Sequence, residues 1–262
     1  MWIVLAVLGQ AATILATPLS DWQNDPVTGA SCSATRRYDV QGSPVEISIK
    51  RAFSSANPAG IILKFERRGA VNNGTDRQGN QSVAINPEPT ITFAPSGLML
   101  DLLYRGTISS GYVADLPTAR YVEFTRSTTV TVDSGDGSSF SLPLGSPESV
   151  ARSLDACRSR RIADWGLDEK QVIALLAKTT QSWFADVRYP PAAKRSGVQG
   201  VAVMIVSAGS NGKVSCRVVQ SAGAPDLDEA SCAAVVKRGS FPPTKISTTR
   251  YTVVSLRWAL DN

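Results

Sequence analysis

Four cysteines are the most reactive side chains of this 262-residue chain, at positions 32, 157, 216 and 232. No two form a C-x-x-C pair, and the chain contains no histidine. Zinc ligation is therefore disfavoured, because neither clustered thiolates nor imidazoles are present. The missing imidazole also removes the usual general base. No G-x-S-x-G elbow, P-loop or G-x-G-x-x-G fingerprint occurs. The carboxylate pairs Asp133/Asp136 and Asp226/Asp228 are accounted for by turns and helix caps. The expectation is a protein with no catalytic residues, no metal and no cofactor. Dispersed cysteines in even number suit disulfides, with buried free thiols as the alternative.

Those cysteines must be held by folded elements. At 43% apolar residues, the chain can bury a core. Residues 20–166 read as β-rich. In "VEISIK" (45–50), Val45, Ile47 and Ile49 alternate with polar residues, which marks a half-buried strand. "GIILKFERR" places Ile61, Leu63 and Phe65 on one face. Further strands are expected in "TITFA" (90–94), "LMLDLLY" (98–104), "RYVEFTR" (120–126), "TTVTVD" (128–133) and "SFSLPL" (139–144). Many short strands broken by Gly, Pro, Asn and Asp predict an all-β sandwich or barrel-like domain. The polar stretch 69–82 reads as a loop, and "DSGDG" as a hairpin turn.

The domain closes with a helix over 146–166. Ser146 is the expected N-cap, with Pro147 and Glu148 in the first turn. Val150, Leu154 and Cys157 share its apolar face. Cys32 lies just before the first strong strand, so a Cys32–Cys157 bond would join the domain's beginning to its end. The basic run Arg158, Arg160 and Arg161 suits the helix C-terminus. Residues 167–185 read as a helical connection.

At the N-terminus, Trp2–Ala16 is a 15-residue, mostly apolar run. It is short for a spanning helix, and small residues near Ala16 and Thr17 suit cleavage. Residues 1–17 thus read as a signal peptide, or alternatively a short membrane segment without the usual basic start. Export to the periplasm is expected, with an inner-membrane anchor facing the periplasm as the alternative.

Residues 186–260 form the second unit. Residues 186–262 carry 10 Lys+Arg against 5 Asp+Glu, while residues 1–185 balance at 17 and 17. The whole +5 excess sits in this segment, which favours a partner with negative surface. Tyr189 is an aromatic anchor, Pro190 and Pro191 start a short helix, Gly197 stops it and Gly200 permits a close turn. "VAVMIVSAG" is a strand apolar on both faces, "SNG" a hairpin turn and "KVSCRVVQSAG" the return strand. "APDLDEASCAAVVKRG" (224–239) is a helix with Asp226 as a cap, and "RYTVVSLRWAL" (250–260) is the last strand. The order helix, strand, strand, helix, strand predicts a small α+β domain with helices on one side of a three-stranded sheet. Cys216 on the middle strand and Cys232 on the covering helix are placed to pair.

Taken together, Tyr189-Pro190 with Ala192 and Ala193, Gly197, Gly200, Asn211-Gly212 with Val214, Ser221, Leu227-Asp228 and Phe241-Pro242 resemble the TonB C-terminal domain. The resemblance covers about 70 of the 262 residues. It implies a cell-envelope module that binds outer-membrane transporters by strand addition beside its last strand, in support of transmembrane transport. Carried onto this chain, the implied surface is Arg250, Thr252, Val253, Val254, Ser255 and Arg257. The expected partner is an outer-membrane transporter or other envelope protein, and no nucleic acid. Two departures count against a complete transducer: no histidine is available to engage a proton motor, and a β-rich domain stands where a proline-rich spacer belongs. The alternative is an exported assembly or structural protein working through the β-rich domain.

Overall fold

A computed structural model describes residues 13–26, 29, 31–53, 59–65, 72–75, 81–84, 90–94, 98–100, 104–108, 111–116, 118–133, 139–173, 177–209, 213–241 and 249–260. The first strands are β1 (Ile14–Leu15), β2 (Thr17–Pro18), β3 (Gln23–Asn24), β4 (Ser31–Val40), β5 (Ser43–Ala52) and β6 (Ala59–Phe65). Next come β7 (Asn72–Thr75), β8 (Gln81–Ala84), β9 (Thr90–Ala94), β10 (Leu98–Leu100), β11 (Tyr104–Ile108) and β12 (Gly111–Leu116). Helix α1 (Thr118–Arg126) precedes β13 (Thr129–Asp133), β14 (Ser139–Pro143) and α2 (Pro147–Asp164). The C-terminal part holds α3 (Ala177–Ser182), α4 (Pro191–Arg195), β15 (Gly200–Ala208), β16 (Val214–Gln220), α5 (Pro225–Arg238) and β17 (Arg250–Trp258).

Among the described residues, two large sheets build most of the β-rich region, in the orders β1-β14-β13-β9-β10 and β11-β12-β6-β5-β4-β2, with β3 also on β4 and β7-β8 as a separate pair. Their shared core takes Val130, Val132, Phe140 and Leu142 from the first sheet and Tyr38, Ile47, Ile49, Ile61 and Leu63 from the second. The alternation read from "VEISIK" is realised, since Val45, Ile47 and Ile49 are buried. Strands β4 and β5 pair in register from Ser31↔Ala52 to Val40↔Ser43. The two residues between them, Gln41 and Gly42, both have positive φ (51° and 81°), as a tight hairpin of this hand requires. The segment from Ile14 to Asn24 crosses between the sheets. β1 runs parallel to β14, β2 and β3 pair with β4, and Ala16 is buried between them.

Three expectations for this region fail. "RYVEFTR" is helical, within α1, because Tyr121 and Phe124 meet the core at i, i+3 while Val122 is exposed. Its β-branched and aromatic content favours a strand, but packing of α1 on α2 overrides that propensity, with the Tyr121 hydroxyl directed at the Ala151 carbonyl. The stretch 69–82 contains β7 and the start of β8, which pair antiparallel. Ser146 flanks α2 but makes no side-chain cap bond, and Pro147 carries the first turn instead. The "DSGDG" turn lies mostly outside the described residues, as do 101–103 of "LMLDLLY". Burial pushes the hydroxyls of Tyr38 and Tyr121 up to about 12, against the opposing effect of Arg36 and Arg51 respectively. Both rings therefore stay neutral donors, and their contribution fades only as pH climbs from 10 to about 12.

Helix α2 packs on β4 and β5, and the Cys32–Cys157 disulfide joins it to β4. Arg158 donates to the Phe53 carbonyl through Nε and Nη2 (3.2 and 3.0 Å) and pairs with Glu169. Burial lowers its pKa. Its role is thus a specific anchor and not only a favourable charge near the helix end. The expected helical connection contains a single 3₁₀ turn at Glu169–Gln171, the extended Val172 and the six-residue α3.

The three-stranded C-terminal sheet has the order β16-β15-β17, all antiparallel. Helices α4 and α5 lie on one side, where Ala202, Met204, Val206, Val254 and Trp258 join Leu227 and Val235. The opposite face packs on the β-rich region, whose core includes Val203 and Val253 with Val201 and Val219 against them. This explains why β15 is apolar on both faces.

Candidate partner-binding surface

The segment preceding β15 is fixed by a few specific contacts. Pro190 and Pro191 start α4, and Gly197 has φ 63°, which ends it. The Tyr189 hydroxyl donates to the Val198 carbonyl, and its ring stands edge-on to Trp258 at 5.1 Å. Trp258 Nε1 donates to Ser231 Oγ (3.0 Å), which donates to the Leu227 carbonyl (2.7 Å). Asp226 does not cap α5: its carboxylate accepts from Ala193 N (3.1 Å), joining α4 to α5, while Asp228 accepts from Ala222 N (2.8 Å). Gly200 is required by space, since a Cβ there would lie 2.2 Å from the Ala222 carbonyl oxygen. Cys216 on β16 and Cys232 on α5 form the second disulfide, so α5 is bonded to the sheet it covers.

These contacts leave β17 at one edge of the sheet. Of the six surface residues implied by the resemblance, Thr252, Val253 and Val254 are buried, Arg250 is half-buried, and Ser255 and Arg257 are exposed. The Arg250 guanidinium lies over the Phe241 ring at 5.5 Å, and that ring stacks with Trp183. Arg250 therefore holds the Phe241 ring more than it guards an edge. The Tyr251 carbonyl points away from β15 and accepts from Ile173 N (2.8 Å). By the alternation of a strand, the backbone groups of Val253, Ser255 and Arg257 face the same side. Val172 bridges Tyr251 in parallel fashion there, a contact that sequence reasoning missed because "VIALL" reads equally well as a helix.

A groove of about 190 Å³ lies between Trp183, Asp186–Arg188 and the Ala230, Ala233, Ala234 stripe of α5. It is small for a ligand site, and Arg238 at its rim is paired with Asp186. Among the described residues, no group of His, Cys, Asp and Glu is placed to hold a metal ion, and no helix is long and apolar enough to cross a membrane.

Residues 185–260 match the family model described as the Gram-negative bacterial TonB protein C-terminal. This segment is a TonB C-terminal domain. Such domains are periplasmic interaction modules without enzymatic activity, and they serve envelope protein binding in the energy coupling of transport. Among solved structures, the NMR solution structure of the Helicobacter pylori TonB C-terminal domain is similar to 37% of this chain and to 87% of its own, with 21% identity and a TM-score of 0.29. No curated protein matches the chain. The elements of this TonB C-terminal domain run α4, β15, β16, α5 and β17, and its Cys216–Cys232 bond joins β16 to α5.

Proposed function

We propose that the protein is an exported, non-catalytic binding module whose TonB C-terminal domain receives an extended segment of an outer-membrane transporter, or another envelope protein, beside β17. The observation that carries this reading is the family match over 185–260, a segment whose last strand stands at a sheet edge. Strand addition takes affinity from backbone hydrogen bonds, and the outward groups of Ser255 and Arg257 supply them. The exposed Arg257 adds attraction for an acidic side chain on the incoming strand. The β-rich region, read as a two-sheet sandwich, serves as a rigid mount beneath the sheet, where Val203 and Val253 are seated.

Export in this reading removes the apolar leader, read as residues 1–17. Cutting after Ala16 would discard β1 and open the place where Ala16 is buried. Intact mass of the periplasmic form tests this directly.

Binding is tested by titrating the full chain with synthetic peptides copied from the periplasm-facing N-termini of outer-membrane transporters. Ser255→Pro removes an outward N–H, and should abolish binding while leaving the fold intact. Peptides that bind no better than scrambled controls would sink the transporter reading.

A further inference from the structure

We propose that the connector at Val172–Ile173 is an internal occupant of the β17 edge, a latch that an incoming strand must displace or avoid. The inference rests on the strand-addition reading of the same edge. Its substance is the geometry of the connector.

Ile173 donates its amide to the Tyr251 carbonyl at 2.8 Å, and Val172 bridges Tyr251 in the parallel sense. That carbonyl lies on the side of β17 facing away from β15, the side on which strand addition would occur. The connector therefore takes the first backbone position of the edge and confines a newcomer to the far end, beside Ser255 and Arg257. A strand that pairs along the whole length of β17 must break the Ile173–Tyr251 bond. Losing a backbone hydrogen bond lowers the affinity of such a strand without forbidding its binding.

The latch is anchored at its base. Glu169, three residues before Val172, pairs with Arg158 and accepts from Ser159 Oγ at 2.9 Å. Arg158 is in turn bound to the Phe53 carbonyl, and its neighbour Cys157 is bonded to Cys32 on β4. The 3₁₀ turn Glu169–Gln171, with the Asp168 carboxylate accepting from Lys170 N at 2.9 Å, aims the chain at β17. A second link reinforces the same approach: Arg217 of β16 donates to the Trp165 carbonyl at 2.9 Å. The connector is thus fixed to the β-rich region at one end and to the TonB C-terminal domain at the other. The occupant of the edge is supplied by the chain itself, in a fixed position and at high effective concentration.

Two measurements on the full oxidised chain decide the matter. Native-state hydrogen exchange should show the Ile173 amide protected, and Glu169→Gln should lower that protection roughly tenfold while the Gly239 amide at the end of α5 is unchanged. An Ile173 amide that exchanges at the free-chain rate in the unaltered protein overturns the latch. The second measurement compares Ile173→Pro with the unaltered chain against the transporter peptides used above. The variant cannot donate to Tyr251, and should bind roughly tenfold more tightly; equal affinities overturn the proposal. Should Ile173→Pro fail to fold, Glu169→Gln replaces it, with a smaller gain expected. If no peptide binds either chain, the transporter reading fails, while hydrogen exchange still decides whether the connector holds the edge.

Discussion

Both regions of the molecule cover a sheet with a helix and bond that helix to the sheet with one disulfide, but the lengths of chain enclosed differ widely. Cys32 of β4 and Cys157 of α2 are separated by 125 residues, Cys216 of β16 and Cys232 of α5 by 16. The first bond spans nearly all of the β-rich region, where chain distant in sequence must be brought together. The second spans a strand, a turn and half a helix, which already meet through local contacts. One chemical device thus stabilises long-range topology in one half and local packing in the other.

The largest expected effect comes from breaking the long tie. Cys32→Ser with Cys157→Ser should cost about 5 kcal/mol by chain entropy, read as the loss in denaturant-unfolding free energy. Next, Val203→Ala with Val253→Ala should cost about 4 kcal/mol together, because both side chains leave cavities in the other region's core. That double variant should also split one cooperative unfolding transition into two, since these residues seat the C-terminal sheet on the β-rich region. A single unchanged transition would show that the two regions are coupled by something else. Cys216→Ser with Cys232→Ser should cost about 3 kcal/mol, less than the long tie because the closed loop is short. A loss equal to or larger than the first would break the comparison. Gly200→Ala forces a methyl group onto the Ala222 carbonyl and should cost about 1–3 kcal/mol, confined to the C-terminal transition when the two are separated. The smallest effect belongs to Arg152→Ala. Its pair with Glu148 is exposed on both sides, and the melting midpoint should move by under about 1 °C.

Legibility differed between the regions for the same reason. Residues 186–260 are governed by local signals: prolines that start α4, glycines at 197 and 200, and a helix between two strands. Cys216 and Cys232, read there as partners, are bonded. Asp226 was legible as an acidic residue near a helix start, but its actual role, accepting from Ala193, needs α4 to be packed against α5. In the β-rich region, "VEISIK" was readable because alternation alone decides which face is buried. "RYVEFTR" was not, because β-branched and aromatic residues satisfy strand and helix patterns alike until a neighbour selects one face. The Val172 bridge was illegible for a related reason. Val172 and Ile173 are apolar under either assignment, and only their meeting with Tyr251 of β17 selects the bridge.

What the residues themselves determined is the list of parts: which cysteines exist to pair, where chain reversal is forced, which strands bury one face and which bury two. Those are properties of side-chain volume, backbone freedom and polarity, and they act within a few residues. Tertiary structure alone decided that the second face of the C-terminal sheet is covered by Val203 and Val253 entering the other region's core, and that Ile173 reaches Tyr251. Those contacts join residues dozens to hundreds of positions apart. Their free energy depends on surfaces that exist only once both partners have folded.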